Sequence, residues 1–417
     1  MDEISARASI GRLGFPTRRV ARSTAWRIDW VRTVRALLMV GLAAYAAGFT
    51  ARAYYRNYFV FLPGYAHWMF TGAPSSVPGK PTHIFLFMGD HFEPTWDDAR
   101  VREWAQRYAA LAARHHDSTG RPPQHDWFYP GEQFSQPIFE TMQRMAAAGY
   151  GEVELHYHHS WDTYETLRDT LKPAIARFQQ FGFLKTVDGK TAFAFIHGNW
   201  GLDNSLGDGL CGVSREIELL HSLGSFADFT FPSIYENSQP RAVNSIYATR
   251  DDDGPKSYDR RLPLSALADG TGQLMMFEGP LIFTPTWNPR QMFLYLDDGD
   301  IHTAGHASPS RADSWVRANV HVPERPDWVF IKLFSHGVTG EGDMESVLGS
   351  DFDATLSYLE REYNDGRRYV LHYITSREAY NLARAAAEGA NGEPQQYIDA
   401  YVRPFVANAR PPATVAH

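Results

Sequence analysis

From residue 82 onwards, short apolar runs alternate with longer amphipathic stretches. The spacing of Trp104, Tyr108 and Leu111 puts these side chains on one helical face, which predicts a helix over 96–116. Short runs of apolar residues bounded by polar residues predict buried strands. The predicted strands are 82–89, 125–129, a histidine-rich strand from 151, 191–197, 227–232, 328–336 and 368–374. The other predicted helices are 135–148, 164–181, 213–223, 351–364 and 375–389, with further helical patterns near Arg290 and Ala312.

Strands that alternate with helices predict a parallel sheet, and seven or eight such units predict a distorted (β/α)7-8 barrel over 82–390. The alternation breaks at about 237–280, which we interpret as a β-rich insertion over the barrel mouth. Thr375 and Glu378 have the spacing of a capping box that opens the last helix. Residues 391–417 are rich in Pro and Ala and are predicted to form a loose tail.

The N-terminal region has the pattern of a membrane anchor. Residues 1–35 are strongly basic, 36–52 form an apolar transmembrane segment, and 53–81 contain an aromatic interfacial segment and a linker. The positive-inside rule then predicts a single-pass protein of the inner membrane, with a cytoplasmic N-terminus and a periplasmic or otherwise extracytoplasmic barrel. A cleaved signal peptide is the alternative, and the long basic region favours an uncleaved anchor.

The amino-acid composition argues against several classes of protein. A hydrophobic content of 44% with 14% aromatic residues excludes a disordered chain. The net charge of −8, without a basic stripe in the main body, argues against nucleic-acid binding. Cys211 is the single cysteine, so the chain contains no internal disulfide.

Polar residues gather where the predicted strands end, which is the edge at which barrel enzymes carry their catalytic groups. These residues are Asp90, His91, Glu93, Glu132, His156, His158, His159, Asp162, His197, Asn199, Trp200, Asp203, Ser233, Tyr235 and His336. Their coincidence at one predicted edge favours a functional site over a set of unrelated helix caps.

The histidine-rich strand supplies the most specific chemistry. Side chains alternate along a strand, so Glu154, His156 and His158 share one face, and His159 projects away from them. Two imidazoles and a carboxylate from Asp90 suit a divalent metal ion, most plausibly Zn²⁺.

A buried lysine leads to a further prediction at the same end of the barrel. If His336 points inward, Lys332 on the same strand face is buried too. Because an unpaired buried ammonium is costly, we predict that Lys332 forms a direct or water-bridged ion pair with Glu154.

A strand ending in Asp, a later strand ending in clustered His and a late apolar strand ending in His resemble the polysaccharide deacetylase family, within the glycoside hydrolase/deacetylase β/α-barrel superfamily. The resemblance implies metal ligands at Asp90, His156 and His158, a metal-activated water, a catalytic aspartate at Asp90 and an acid at His336. The family's second strand-one Asp is replaced by His91. Its second metal histidine stands four residues after the first, where this chain has Ser160. Its arginine motif is replaced by residues 197–200.

These departures leave Glu93, Glu132 and Asp162 as further carboxylates for the catalytic base, and Glu132 is assigned a catalytic role. The predicted substrate-binding residues are His91, Glu93, Trp161, His197, Asn199, Trp200 and Tyr235. The expected function is metal-dependent removal of acetyl groups from an envelope or exported polysaccharide.

Two other functions remain open. One is glycoside hydrolysis, using two of Asp90, Glu93, Glu132 and Asp203. The other is a non-catalytic barrel that binds partners in an inner-membrane complex.

Overall fold

The computed structural model describes residues 30–72 and 77–409. The predicted basic segment before residue 30, residues 73–76 of the predicted linker and residues 410–417 of the predicted tail lie outside the described residues. The chain divides into two compact units, one up to Thr50 and one from Ala51 onwards.

The first described element is helix α1 (Trp30–Tyr55), which includes the predicted transmembrane segment. It is long and apolar enough to cross a membrane, and a signal sequence would satisfy the same criteria. The helix begins before the predicted start at residue 36 because Trp30, Val31 and Val34 continue its apolar character.

The second unit, from Ala51 onwards, is a mixed α/β fold. Its strands are β1 (Thr82–His91), β2 (Asp126–Pro130), β3 (Val153–Tyr157), β4 (Phe193–His197), β5 (Ser225–Asp228), β6 (Ser245–Thr249), β7 (Leu274–Glu278), β8 (Ile282–Pro285), β9 (Leu294–Asp297), β10 (Asp300–Ile301), β11 (His321–Val322), β12 (Arg325–Ser335) and β13 (Tyr369–Tyr373). Its helices are α2 (Leu62–Thr71), α3 (Asp98–Ala112), α4 (Gln136–Ala147), α5 (Tyr164–Gln180), α6 (Glu216–Leu223), α7 (Pro309–Ala318), α8 (Glu341–Leu348), α9 (Ser350–Glu362) and α10 (Ser376–Ala387).

The main sheet has the strand order β10-β12-β1-β2-β3-β4-β5-β7-β6, with β13 pairing to β1 and β11 to β12. The pairings along β12-β1-β2-β3-β4-β5-β7 are parallel, as the alternation of strands and helices predicted. Among the described residues no pairing joins β10 to β6. The sheet is therefore a curled half-barrel, and the predicted closed barrel is not confirmed.

Several local predictions need correction. The stretch predicted as an insertion over the barrel mouth contributes β6 and β7 to the main sheet. The pattern near Arg290 is a short 3-10 turn between β8 and β9, because Pro289 begins it and the flanking residues pair as a hairpin. In the predicted loose tail, Phe405 is fully buried and pairs with Thr186. The helix near Ala312 and the capping box of Thr375 and Glu378 are confirmed.

Side chains alternate across the sheet and form two apolar layers. On β1, Ile84, Leu86 and Met88 pack with the surrounding helices, including Trp104 of α3. Phe85 of the same strand belongs to the cluster inside the curl. The direction of each side chain at the end of a strand thus decides whether it faces the inner or the outer layer.

A buried arginine ties the last helix to the sheet and to the C-terminal segment. Arg377 of α10 donates to Glu152 over 2.9 Å and to Asp399 over 2.8 Å. It also donates to the carbonyl oxygen of Val402 over 2.8 Å. Glu152 and Arg377 are both about 2% exposed, so neither charge has water as a substitute partner.

We expect Arg377→Met to lower the free energy of unfolding by about 3 kcal/mol or more, because it leaves the Glu152 carboxylate buried and unpaired. Arg384→Met on the same helix is the matched control, since Arg384 is partly exposed and pairs with Glu388 four residues away. The control should cost less than about 1 kcal/mol. Denaturant unfolding of the detergent-solubilised chain measures both, and equal losses would contradict the assigned role of Arg377.

Candidate functional site

The carboxyl ends of β1, β2, β3 and β12 bring together histidines and glutamates on the inner side of the sheet. β1 lies between β12 and β2, and β2 pairs with β3. Parallel strands end at one edge, so the residues that follow them converge there. We call His91, Glu93, Glu132, His156, His158 and His336 the inner cluster.

His91, Glu93 and His156 form the centre of the inner cluster. Each offers one ligand atom, and these atoms lie within 4.8 Å of one another. His156 Nε2 is 2.7 Å from Glu93 Oε1, and the rings of His91 and His156 are 4.9 Å apart between centroids. These residues could hold a metal ion, and two imidazoles with one carboxylate form a donor set that suits Zn²⁺.

His158 lies beside this centre and contacts two carboxylates. Its Nδ1 is 2.6 Å from Glu132 Oε1, and its Nε2 is 3.4 Å from Glu93 Oε1. The ring packs against Gly198, where an added Cβ would lie 2.3 Å from the His158 ring. A glycine is therefore required at position 198 to leave room for His158.

Burial and neighbouring charges set the protonation of the inner cluster. Burial lowers the pKa of His91 well below its ordinary value, and His336 and His156 lower it further. Burial also lowers the pKa of His156, against the opposing effect of Glu93. For His158, burial is outweighed by hydrogen bonds with Glu132 and Glu93, which raise its pKa to about 9. Burial favours a neutral Glu93, yet hydrogen bonds from His156 and His158 lower its pKa strongly.

Asp90, predicted as a metal ligand and catalytic group, is engaged elsewhere. Its carboxylate accepts hydrogen bonds from Ser335 Oγ over 2.8 Å and from the Gly337 amide over 2.9 Å, and it lies 2.9 Å from His125 Nε2. Asp90 continues the alternation that places Met88 in the outer layer. The neighbouring residue His91 is the one that points inward, because adjacent strand residues face opposite sides.

Two aromatic rings, those of His336 and Trp200, lie beside His91 in the inner cluster. The His336 ring lies 4.6 Å from that of His91, so His336 faces inward as predicted. The Trp200 ring lies 4.8 Å from His91 on another side. Trp161 is largely exposed, with its amide bonded to the carbonyl oxygen of Asp208. The Arg56 guanidinium lies over the ring of Tyr235, 4.6 Å from the centroid of that ring.

Lys332 is buried as predicted, but it does not pair with Glu154. Its ammonium donates to the carbonyl oxygens of Phe229, over 2.8 Å, and Phe231. Glu154 accepts from the Ala194 amide over 2.7 Å, and burial raises the pKa of Glu154 well above its ordinary value. Burial thus disfavours the charged form of Glu154, which is the form that an ion pair with Lys332 would require.

A second group lies on the outer side of the same strands, and we call His159, His197, Cys211 and Glu216 the outer cluster. Their ligand atoms also lie within 4.8 Å of one another, and all four residues are buried. His159 Nε2 is 3.0 Å from Glu216 Oε1, and Cys211 Sγ is 3.3 Å from Glu216 Oε2. By distance alone this group could also hold a metal ion.

The hydrogen bonds favour a different role for the outer cluster. His197 Nδ1 accepts from the Asn199 amide over 3.1 Å, so in a neutral ring the proton is on Nε2, which then has no lone pair for a metal. The Asp203 amide donates to Glu216 over 2.6 Å. Glu216 thus accepts hydrogen bonds from the loop between β4 and α6. The same loop contains Trp200, whose ring lies beside His91 in the inner cluster.

His197 and Asn199, which were predicted to bind substrate, therefore help to hold this loop against the sheet. Asn199 also donates to the carbonyl oxygen of His159 over 2.9 Å. The sequence predicts a substrate role for His91, and a substrate role or that of a catalytic carboxylate for Glu93, but it makes neither a metal ligand. Strand alternation on β1 could have placed His91 inside. No role was predicted for Glu216, which lies within the predicted helix 213–223.

No protein-family model matches this chain, and a comparison with curated proteins finds no match. An assignment of function therefore depends on the geometry of the two clusters.

The Glu132 carboxylate should hold the pKa of His158 near 9 in protein freed of metal by a chelator. We expect Glu132→Gln to move it toward 6.5, and histidine-selective NMR measures the change. Because the folded-state pKa is raised, this bond stabilises the protein fully below about pH 6.5, and the contribution is lost as pH rises through 9. Glu140→Gln, at an exposed site, is the control. An unchanged His158 titration in Glu132→Gln would contradict the pairing.

Proposed function

We propose that the unit from Ala51 onwards is a metal-dependent hydrolase that removes acetyl groups from an envelope or exported polysaccharide. The observation that supports this most is the convergence of His91, Glu93 and His156 within 4.8 Å, beside the His158–Glu132 pair. This arrangement joins a candidate metal site to a candidate proton carrier, as the hydrolysis of an acyl group requires.

The residues fit a divalent metal on their own geometry. Nδ1 of His91 and Nδ1 of His156 are buried atoms without a hydrogen-bond partner among the described residues. The assigned ligands become His91, Glu93 and His156, in place of the originally predicted Asp90 and His158. A divalent ion held there would act as a Lewis acid that polarises the acyl carbonyl group.

The proton transfers fall to the neighbouring side chains. Glu132 fixes the proton on His158 Nδ1 and leaves Nε2 to exchange a proton with the reacting group. Because the pKa of His158 is raised to about 9, its ring carries both protons at neutral pH, and Nε2 donates one of them to the leaving sugar oxygen. Glu132 accepts a proton from the water whose oxygen attacks the acyl carbon, and the bond from that carbon to the sugar oxygen breaks, so that acetic acid and a free hydroxyl group result. His336 borders the other side of His91 and is placed to contact the developing oxyanion.

The same arrangement suits a sugar substrate. Trp200 presents a ring beside His91 at the edge of the cluster, and an aromatic face packs well on a pyranose ring. The predicted export of the unit would place it where envelope polysaccharides occur. The resemblance of the sequence to polysaccharide deacetylases is a further argument for this proposal.

The central test compares Glu93→Gln with His158→Gln in the purified full chain. Glu93→Gln should lose bound metal and acetate release together. His158→Gln should retain metal while its rate falls by on the order of 10²–10⁴-fold. Metal analysis and acetate release from an acetylated polysaccharide provide the readouts, and Glu103→Gln on the exposed face of α3 is the control.

Each other outcome identifies an alternative. Loss of metal in His158→Gln would return His158 to the ligand set. New reducing ends without acetate would identify a glycoside hydrolase. Metal-free wild-type protein without either product would favour the non-catalytic subunit of a membrane complex.

The orientation of the anchor is a separate proposal, with the N-terminus in the cytoplasm and the hydrolase unit outside it. An alkaline phosphatase fused after residue 417 should be active in cells, because this reporter folds only outside the cytoplasm. A fusion truncated after Arg35, before most of the apolar segment, should be inactive. An inactive full-length fusion that is stably produced would reverse the orientation.

A further inference from the structure

A small β-hairpin carries the most exposed tryptophan among the described residues. β8 and β9 pair with each other, apart from the main sheet, and residues 286–293 connect them. Trp287 in this connection is 96% exposed and Phe293 is 49% exposed. Residues 281–296 contain no Asp or Glu, and their single charged residue is Arg290. An exposed apolar tip with a cation is unusual for a surface that faces only water.

Arg52 links this hairpin to the end of the membrane-spanning candidate. Arg52 lies in the last turn of α1, directly after the apolar stretch. Its Nη1 donates to the carbonyl oxygen of Leu294 over 3.2 Å and to that of Gln291. Arginine at the end of a membrane helix lies at the level of the lipid headgroups, so the residues bonded to it lie at a similar depth.

The segment that follows α1 holds the hairpin in place. The rings of Tyr58 and Tyr65 lie 5.9 Å and 5.1 Å from that of Phe283, the second residue of β8. The Phe283 amide donates to Tyr65 Oη over 2.9 Å. The base of the hairpin is therefore packed on the chain that follows α1.

The charge of the region also suits a lipid surface. Between Asp29 and Asp90 the chain contains no acidic residue, while Arg52 and Arg56 follow the apolar stretch. Tyr54 and Tyr55 are both largely exposed at the end of α1. Tyrosine, tryptophan and arginine are the side chains that populate the boundary between lipid chains and water.

We propose that the β8–β9 hairpin is a second membrane contact, in which Trp287 and Phe293 enter the lipid headgroup region and Arg290 binds lipid phosphate. A lipid bilayer is the occupant that Arg52 favours, because the anchor brings a bilayer to this position. The hairpin would give the unit from Ala51 onwards a membrane contact in addition to the anchor. This inference does not depend on the proposed chemistry.

The test uses the full chain reconstituted in phosphatidylcholine vesicles, with and without phosphatidylglycerol. A polarity-sensitive fluorophore is attached to Pro289→Cys in the exposed tip, and Cys211 is buried and should remain unlabelled. Nitroxide-labelled lipids quench a fluorophore that lies at their depth. We expect quenching and a blue-shifted emission for Pro289→Cys, stronger with the anionic lipid. Lys190→Cys, at another exposed site, should show neither.

Adding Trp287→Ser and Phe293→Ser to Pro289→Cys should abolish the quenching, while circular dichroism remains that of the parent. The proposal is overturned if the Pro289→Cys fluorophore has a water-like emission without quenching. It is also overturned if a pyrene label at this position forms excimers instead of being quenched by lipid, since the tip would then contact a second copy of the chain.

Discussion

The alternation of side chains at the carboxyl edge of the sheet is the constraint on which the rest of this site depends. Adjacent strand residues face opposite layers, so one strand end can serve two environments. β1 sends Asp90 outward to His125 and His91 inward to His156. The histidine-rich strand sends His156 and His158 inward, while His159 faces the outer cluster. A dense run of polar residues thus becomes two groups, of which the outer cluster is fully buried and the inner cluster is partly open to solvent.

The outer cluster supplies hydrogen-bond donors to a buried carboxylate. A buried carboxylate is costly unless donors surround it, and Glu216 receives the Asp203 amide and lies against His159 and Cys211. Asp203 and Cys211 lie in the chain between β4 and α6, while His159 follows β3, so the contacts of Glu216 hold that loop against the sheet. Trp200 adopts a left-handed backbone conformation, with φ of 58°, while its ring packs on His91. The strain at this residue is offset by the network behind it.

The proposed attachment to a membrane would add a second constraint to the unit from Ala51 onwards. A single helix leaves a globular unit free to rotate about the chain that follows it, whereas a second contact limits that rotation. The packing of Tyr58 and Tyr65 on Phe283 joins the hairpin to the segment after α1. If the proposed polysaccharide is the substrate, two points of attachment would give it a consistent approach to the carboxyl edge of the sheet.

The sequence by itself determined the apolar helix, the parallel α/β pattern, the capping box at Thr375 and the shared face of His156 and His158. These features follow from local spacing, because helix and strand periods are properties of neighbouring residues. Only the tertiary structure decided that the sheet stays open and that β6 and β7 extend it, since pairing between distant strands leaves no mark in local spacing. It also decided that Glu93 contacts His156, that Asp90 binds Ser335 and that burial raises the pKa of Glu154. Those outcomes depend on burial and on partners 40 to 245 residues away, and therefore on the folded arrangement of strands.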